Sequence, residues 1–457
     1  MKKEILKKDE ILYSNGLYNR ELLSRLDDKE RMSAEDQRKR LFGKKYLSEL
    51  ILEDNVEFGN NNLILAPVGS GKSNLIETLL IPENFNKKII YLTSNTALKD
   101  SLSPNDNKLR KLLAENGQSI KFFTTENRKT YGDKPYSVHV MSYHEFGSRI
   151  EAPYQTFTDD VGLIFCDEIH SLPIFSTYGN NGDLSVAKRW LFKEHENIQK
   201  FYFTATEQSI KQLEKRSPGY LTKVKTFNYL DHPNIRQYRS NSIYYVNHIE
   251  EIRLHLRARL TACNSFGDKG LAFSRKISEQ EKIAKIVEEE GYKPLILWSI
   301  NNEEVMSEEQ LRARSIILST GLIPEPYNIL IVNGAMQEGW NLHDERVSFA
   351  IINTTDETER VQALGRIRKD VDFVVYKTDD EKLVAKNILI DEQFLNRPLD
   401  SAEKVELCES VNILDRQGRL MQWRGIRNLL EYTNYTTEDR TINVDGKRQR
   451  TTTITIA

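Results

Sequence analysis

Two series of short apolar runs govern what this chain can become. The first comprises NLILAPV, KKIIYLTS, SVHVMSY, VGLIFCDE and FYFTATE; the second comprises SIYYVN, KGLAFS, YKPLILWS, YNILIVNG and VSFAIINT. Each run lacks the polar alternation of a half-exposed strand and is followed by a turn or a helical pattern. That texture predicts parallel strands covered on both faces. Helical crossovers between such strands bring their carboxyl ends to a common edge, where ligands bind. The fold class expected is α/β, with two tandem parallel-sheet domains.

At 457 residues the chain is too long for one core. A helical amino-terminal arm is expected over residues 1–45, where both charge signs mix with spaced Leu, Ile and Tyr. A first domain follows over 46–235, closed by His232-Pro233-Asn234 as a linker, and a second over 236–385. Residues 386–457 form a carboxyl-terminal accessory region. There, MQWRGIRNLLEYTNY reads as a helix and TINVDGKRQRTTTITI as a hairpin turning at Asp445-Gly446. Lys447, Arg448 and Arg450 make that hairpin basic, so it could hold a duplex as a wing or serve as a charged, solvated edge.

Charge excludes some functions. With 65 Lys+Arg against 67 Asp+Glu, the net charge is -2, which rules out a cationic coat for nucleic acid and leaves local grooves or backbone amides. Cys166, Cys263 and Cys408 form no CxxC pair, so neither a zinc ribbon nor a disulfide framework is expected. No apolar stretch approaches the ~20 residues needed to span a bilayer. A cytoplasmic protein with no membrane partner is expected.

The chemistry begins at Ala66-Pro67-Val68-Gly69-Ser70-Gly71-Lys72-Ser73, between an apolar strand and a helix expected to stop before Pro82. Glycines at 69 and 71 let successive N–H groups turn inward, making an anion nest at a helix amino terminus. Lys72 then reaches phosphate and Ser73 ligates a magnesium ion; Pro67 to Ser73 and the following Asn74 are the nucleotide-binding candidates. The first position is Ala66, where the general pattern has glycine. A second acidic element, Asp167-Glu168, ends the strand VGLIFC. Asp167 is suited to hold Mg²⁺ through its water shell, and Glu168 to orient and deprotonate a water attacking the γ-phosphorus. Capping of the next helix is the plainer role for such acids.

Taken in order, Ala66–Ser73, Asp167-Glu168-Ile169-His170, Thr204-Ala205-Thr206, Glu338-Gly339-Trp340-Asn341 and Gln362-Ala363-Leu364-Gly365-Arg366-Ile367-Arg368 resemble the motifs of a superfamily 2 helicase with a DEAH-like second motif. That resemblance spans roughly residues 60 to 370. It implies two RecA-like domains with ATP in the cleft between them. By the same resemblance Thr204, Thr206 and His170 couple the ATP site to the strand-binding face. Gln362 is the cleft glutamine and Arg366 the arginine finger, with Arg368 or Lys369 as the second cation. Gly339 lies near the nucleotide. Thr93-Ser94-Asn95, Ser142-Tyr143, Ser274-Arg275 and Asn341 resemble the contacts to nucleic acid. Trp340 either stacks on a base or faces the core. The plainer reading of VQALGRIRK is an amphipathic helix with a basic face.

The expected function is ATP-dependent translocation or unwinding, with single-stranded or forked nucleic acid as partner and DNA preferred over RNA. Protein partners would belong to a replication or repair assembly. A nucleic-acid-stimulated clamp without strand separation is the alternative.

Overall fold

The computed structural model describes residues 41, 43–84, 87–93, 108–115, 117, 120–122, 138–151, 157–172, 182–193, 195, 197–216, 218–253, 255–256, 269–298, 306–333, 340–386, 388–415, 418–444 and 447–456. Nearly all of the expected amino-terminal arm (1–45), and Ser94, Asn95, Glu338, Gly339, Asp445 and Gly446, lie outside the described residues. The chain divides into two compact units. One comprises residues 1–238 with 337–341, and the other residues 239–336 with 342–457.

In the first unit the strands are β1 (Asn61–Leu65), β2 (Lys88–Thr93), β3 (Ile120–Phe122), β4 (Val138–Ser142), β5 (Val161–Cys166), β6 (Gln199–Thr204) and β7 (Lys225–Asn228). They pair in parallel in the order β3-β4-β2-β5-β6-β1-β7. Successive residues serve opposite faces, as pleating requires. Ile64, Tyr91, Phe165 and Phe203 enter one buried cluster, whereas Leu65, Leu92, Cys166 and Tyr202 enter the other. With both faces covered, an alternating polar pattern would have buried unpaired polar groups, and the sequence avoids it.

The second unit repeats the plan with β8 (Ser240–Val246), β9 (Lys269–Ser274), β10 (Pro294–Leu297), β11 (Ile329–Val332), β12 (Val347–Asn353) and β13 (Val371–Lys377). These are parallel in the order β10-β11-β9-β12-β13-β8. Its carboxyl-terminal part adds β14 (Pro398–Leu399), β15 (Tyr435–Val444) and β16 (Lys447–Ile456), an antiparallel sheet ordered β14-β16-β15. The helices Ser401–Val411 and Trp423–Leu430 cover it. Leu399, Leu407, Ile426, Leu429 and Ile454 give this region a core of its own. Sequence reading placed the hairpin but not β3, β7, β13 or the helix Ser401–Val411. Among the described residues no helix is long and apolar enough to cross a membrane.

The expected linker is partly knitted into the first unit. Lys45 N–H donates to the Asn234 carbonyl at 2.7 Å, and Arg236 N–H donates to the Lys45 carbonyl at 2.8 Å. The buried Arg236 guanidinium lies over the Tyr46 ring, 4.9 Å from its centroid.

Candidate active site

Strand order decides which side chains meet in the first unit. Reading across the carboxyl edge, β4 ends at Ser142, β2 at Thr93, β5 runs into Asp167, β6 ends at Thr204, and β1 runs into Ala66. At the usual ~4.8 Å between neighbouring strands, the acidic pair and the phosphate loop begin about 10 Å apart, with the threonine pair between them.

The loop after β1 is built as its glycines require. Gly69 and Gly71 have φ of +79° and +93°, the left-handed region that side chains disfavour. A Cβ at Gly71 would also come within 3.1 Å of the Tyr46 ring. The loop is pinned from two sides: Ala66 N–H donates to the Thr204 carbonyl at 3.0 Å, and Leu47 N–H donates to the Ser70 carbonyl at 2.9 Å. Lys72, buried, bends over the loop and donates to the carbonyls of Ala66 (3.1 Å) and Pro67 (3.2 Å). The Ser70 hydroxyl is buried with no hydrogen-bond partner among the described residues. The helix that follows runs from Lys72 to Leu75 and continues as a π-helix to Leu80, ending before Pro82 as expected.

Tyr91, on β2, is buried. Burial pushes its phenol well above its ordinary range, the Asp167, Glu77 and Glu168 carboxylates push it further, and the Ser73 hydroxyl opposes them. One buried phenol therefore neighbours both the loop serine and the acidic pair. The Asp167 carbonyl accepts from the Tyr143 hydroxyl at 2.8 Å, and its carboxylate accepts from Glu168 N–H at 3.0 Å. Glu168 itself has φ of +49°, a conformation costing a non-glycine residue on the order of 1 kcal/mol.

From Glu168 a polar chain crosses to β6. His170 Nδ1 lies 3.2 Å from Glu168 Oε2 and 3.0 Å from Thr204 Oγ1, and Thr204 Oγ1 lies 3.1 Å from Thr206 Oγ1. Thr206 N–H also donates to Thr204 Oγ1, at 3.1 Å. His170, Thr204 and Thr206 are all buried, so these contacts act in a low-dielectric interior where each is strengthened. The acids are thus tied to the neighbouring strand as well as terminating their own.

Several of the expected strand-binding residues make contacts within the fold. Tyr143 is buried against the acidic pair, not surface-facing. The Ser142 hydroxyl accepts from Glu145 N–H at 3.1 Å, capping the helix Tyr143–Glu151, while the Glu145 carboxylate accepts from Ser142 N–H. Thr93 is buried at the end of β2. In the second unit Ser274 is fully buried and donates to Glu279 at 2.6 Å; Asn353, one strand over, donates to the same hydroxyl and carboxylate at 3.1 Å each. Arg275 is exposed and pairs with Glu359 and Asp356. Trp340 is buried, whereas Asn341 is half-buried.

The basic stretch of the second unit is not one long helix. It spans Glu357–Leu364, and Gly365 caps it. Arg366 lies in the turn that follows, and Ile367 bridges to Leu342: Leu342 N–H donates to the Arg366 carbonyl at 2.7 Å, and Arg368 N–H returns to the Leu342 carbonyl at 3.0 Å. This pair of bonds flanks Ile367 and anchors the backbone immediately after Arg366. Gln362, buried, accepts from Arg366 Nη2 at 3.2 Å. Lys369 is drawn to Glu345, donating to its carbonyl at 2.5 Å, while Arg368 is half-buried. The residues that sequence reading missed are Tyr91 in the first unit and Glu279 and Asn353 in the second. Tyr91 lies within the largely apolar β2 and Asn353 ends the largely apolar β12, whereas Glu279 stands in the first turn of the helix Ile277–Glu289.

Residues 36–209 match the family described as Type III restriction enzyme, res subunit. No curated protein sequence matches the chain. Among solved structures, Mss116p bound to ssRNA and AMP-PNP is similar over 88% of this chain and 82% of its own, at 15% identity and a TM-score of 0.53. A single-substitution variant of S. cerevisiae Dbp5 bound to RNA and ADP BeF3 is similar over 75% of this chain and 87% of its own, at 14% identity and a TM-score of 0.50. The family match thus covers much of the first unit, and the two solved structures share the tandem parallel-sheet fold over most of the chain.

Proposed function

We propose that the protein hydrolyses ATP in response to nucleic acid and uses the cycle to move along or unwind it, with DNA the preferred polymer. The observation that carries this reading is the continuous edge of the first sheet. There the loop of Lys72, the pair Asp167-Glu168 and the hydroxyls of Thr204 and Thr206 stand on neighbouring strands and share buried contacts. In this reading Pro67 to Ser73 wrap the triphosphate with backbone N–H groups, and Lys72 exchanges its carbonyl partners for phosphate oxygens. Ser73 and Asp167 offer the hard oxygen donors that magnesium takes, and the bound ion would neutralise phosphate charge there. Glu168 orients and deprotonates the attacking water, its carboxylate aimed by His170. Arg366, carried by Gln362, stabilises charge developing on the transferred phosphoryl group. The contact from Glu168 through His170 to Thr204 lets the state of the nucleotide bias β6, which supports coupling to the strand. The similar Mss116p and Dbp5 structures, with RNA and nucleotide bound, support a nucleic-acid partner.

The test is steady-state ATP hydrolysis with matched single- and double-stranded DNA and RNA. Stimulation by a polynucleotide is expected, as is its loss in Lys72→Ala. Stimulated turnover that survives in a folded Lys72→Ala protein would remove the assignment. Duplexes with 3′ or 5′ overhangs then separate unwinding from clamping by whether strands are released.

A further inference from the structure

Far along the chain from the nucleotide loop, a cavity of about 650 Å³ opens between the helices Ser401–Val411 and Trp423–Leu430 and the hairpin β15-β16. Its lining is chemically uneven. Lys404, Arg424, Arg427 and Arg450 carry positive charge, and among the lining residues Asp439 alone opposes them. That concentration stands out in a chain whose net charge is -2. Trp423, half-buried, forms one wall, and Val405, Cys408, Leu420 and Met421 supply apolar surface.

The single carboxylate is already committed. Asp439 accepts from Arg427 Nη1 and Arg450 Nη2, each at 2.8 Å, and from the Thr452 hydroxyl at 2.8 Å. Those donors hold its pKa well below the usual carboxylate range. Asp439 thereby fixes two guanidinium groups while each retains further N–H donors. Lys404 is nine-tenths buried, at 8% exposure, yet no carboxylate lies within ion-pair distance of it among the described residues. Its ammonium sits over the Trp423 ring, 5.9 Å from the centroid. Burial lowers its pKa, and the Arg450 and Arg427 charges lower it further against the opposing pull of Asp439 and Asp400. An anion entering the cavity would be drawn to this group and to the neighbouring guanidinium groups.

We propose that this cavity binds one nucleotide of a single-stranded nucleic acid, with the base against Trp423 and the adjoining phosphates on Lys404, Arg427 and Arg450. Pairing an aromatic face with a cationic groove is how proteins hold single strands without reading sequence. The volume falls within the ~300–1,000 Å³ of small-ligand sites, enough for one unstacked nucleotide and far less than a duplex. The proposal rests on the helicase reading for its choice of a strand as the ligand. It deepens that reading by giving the motor a hold outside its two parallel sheets. A free mononucleotide shares this chemistry and is the other source to be distinguished.

The experiment uses the full chain and a fluorescein-labelled oligothymidylate of about fifteen nucleotides, without ATP, followed by anisotropy over a salt series. Lys404→Met keeps the aliphatic stem, and Arg450→Gln changes an exposed side chain, so both should fold; thermal melts verify this. The double variant is expected to bind at least about tenfold more weakly, with the slope of log K against log salt reduced by roughly 1.4, about 0.7 for each phosphate no longer neutralised. Trp423→Ala should weaken binding about tenfold and Trp423→Phe far less. Basal ATP hydrolysis should be unchanged in all of these variants. Unchanged affinity and salt slope in a folded double variant would overturn the proposal, as would full competition by thymidine monophosphate at concentrations comparable to the oligonucleotide. A wild-type chain that binds through these residues but shows no stimulated hydrolysis supports the cavity and refutes the motor, so the two failures are distinct.

Discussion

The carboxyl edges of the two parallel sheets use polar residues in opposite ways. In the first unit the edge is a connected set. The loop Ala66–Ser73, the acidic pair and the threonines stand at the ends of strands β1, β5 and β6, and contacts join Glu168, His170, Thr204 and Thr206 in series. In the second unit the described contacts fall into several groupings. Ser274, Glu279 and Asn353 form one, Arg275 with Asp356 and Glu359 another, and Gln362 with Arg366 a third. A series of shared contacts makes neighbouring groups move together, whereas separate patches can be altered one at a time. The same sheet plan thus carries a connected polar series in one unit and several described polar groupings in the other.

That contrast can be broken most sharply at Arg366. Arg366→Ala is expected to lower stimulated ATP turnover by at least ~10³-fold, the scale of an arginine finger, whereas Lys369→Ala should change it little because Lys369 is engaged with Glu345. Equal losses in both, measured as kcat, would mean the second edge is also a coupled set. Next in size, Glu168→Gln should reduce kcat by ~10² or more with nucleotide affinity retained, since the amide keeps the contacts but not the base. A fluorescent nucleotide titration beside the kinetics tests this, and undiminished kcat would discard Glu168 as the base. A smaller effect comes from the scaffold of the first edge. A Cβ on Gly147 would lie 1.8 Å from the Asp183 carbonyl oxygen, so Gly147→Ala should destabilise the first unit by about 2–3 kcal/mol. Denaturant unfolding with proteolysis reads it, and wild-type stability would show that the two helices can separate freely.

The smallest effect belongs to the second unit and to pH. His255, stacked 4.4 Å from the Tyr244 ring centroid, has its pKa lowered by burial to about 4. The unfolded value is ~6.5, so its folded form binds fewer protons; the stabilisation is complete above ~6.5 and is lost as pH falls towards 4. His255→Phe should flatten the stability curve in that window by at most ~1.4 kcal/mol per pH unit relative to wild type. An identical slope in the two proteins would mean His255 titrates unhindered.

Much of this architecture was legible because buried parallel strands leave a strong signature. Every apolar run of both series became a strand, and the helix after the phosphate loop stopped before Pro82. What escaped was set by tertiary pairing. β3 and β7 are short edge strands of the first sheet, and the sequence of β7, Lys225–Asn228, is exposed and mixed in polarity. β13, although apolar, follows so closely on the basic stretch that periodicity alone did not separate them. The candidate site rests on residue type: glycines and a lysine after β1 and paired acids after β5. The employment of Ser142, Tyr143 and Ser274 was not readable: a hydroxyl at a strand end can meet a ligand, a helix terminus or a neighbouring carboxylate, and only the packed fold chooses. The pairing of Lys369 with Glu345 was hidden for the same reason, because Glu345 lies on a turn that periodicity does not position.

The left-handed backbone at Glu168 has one last consequence. Glycine would sit there without strain, so the substitution that most relaxes this turn is also one that deletes the proposed base. Screening variants of this protein for heat resistance alone would therefore favour inert molecules at this position, and any search for a hardier form must select for turnover at the same time.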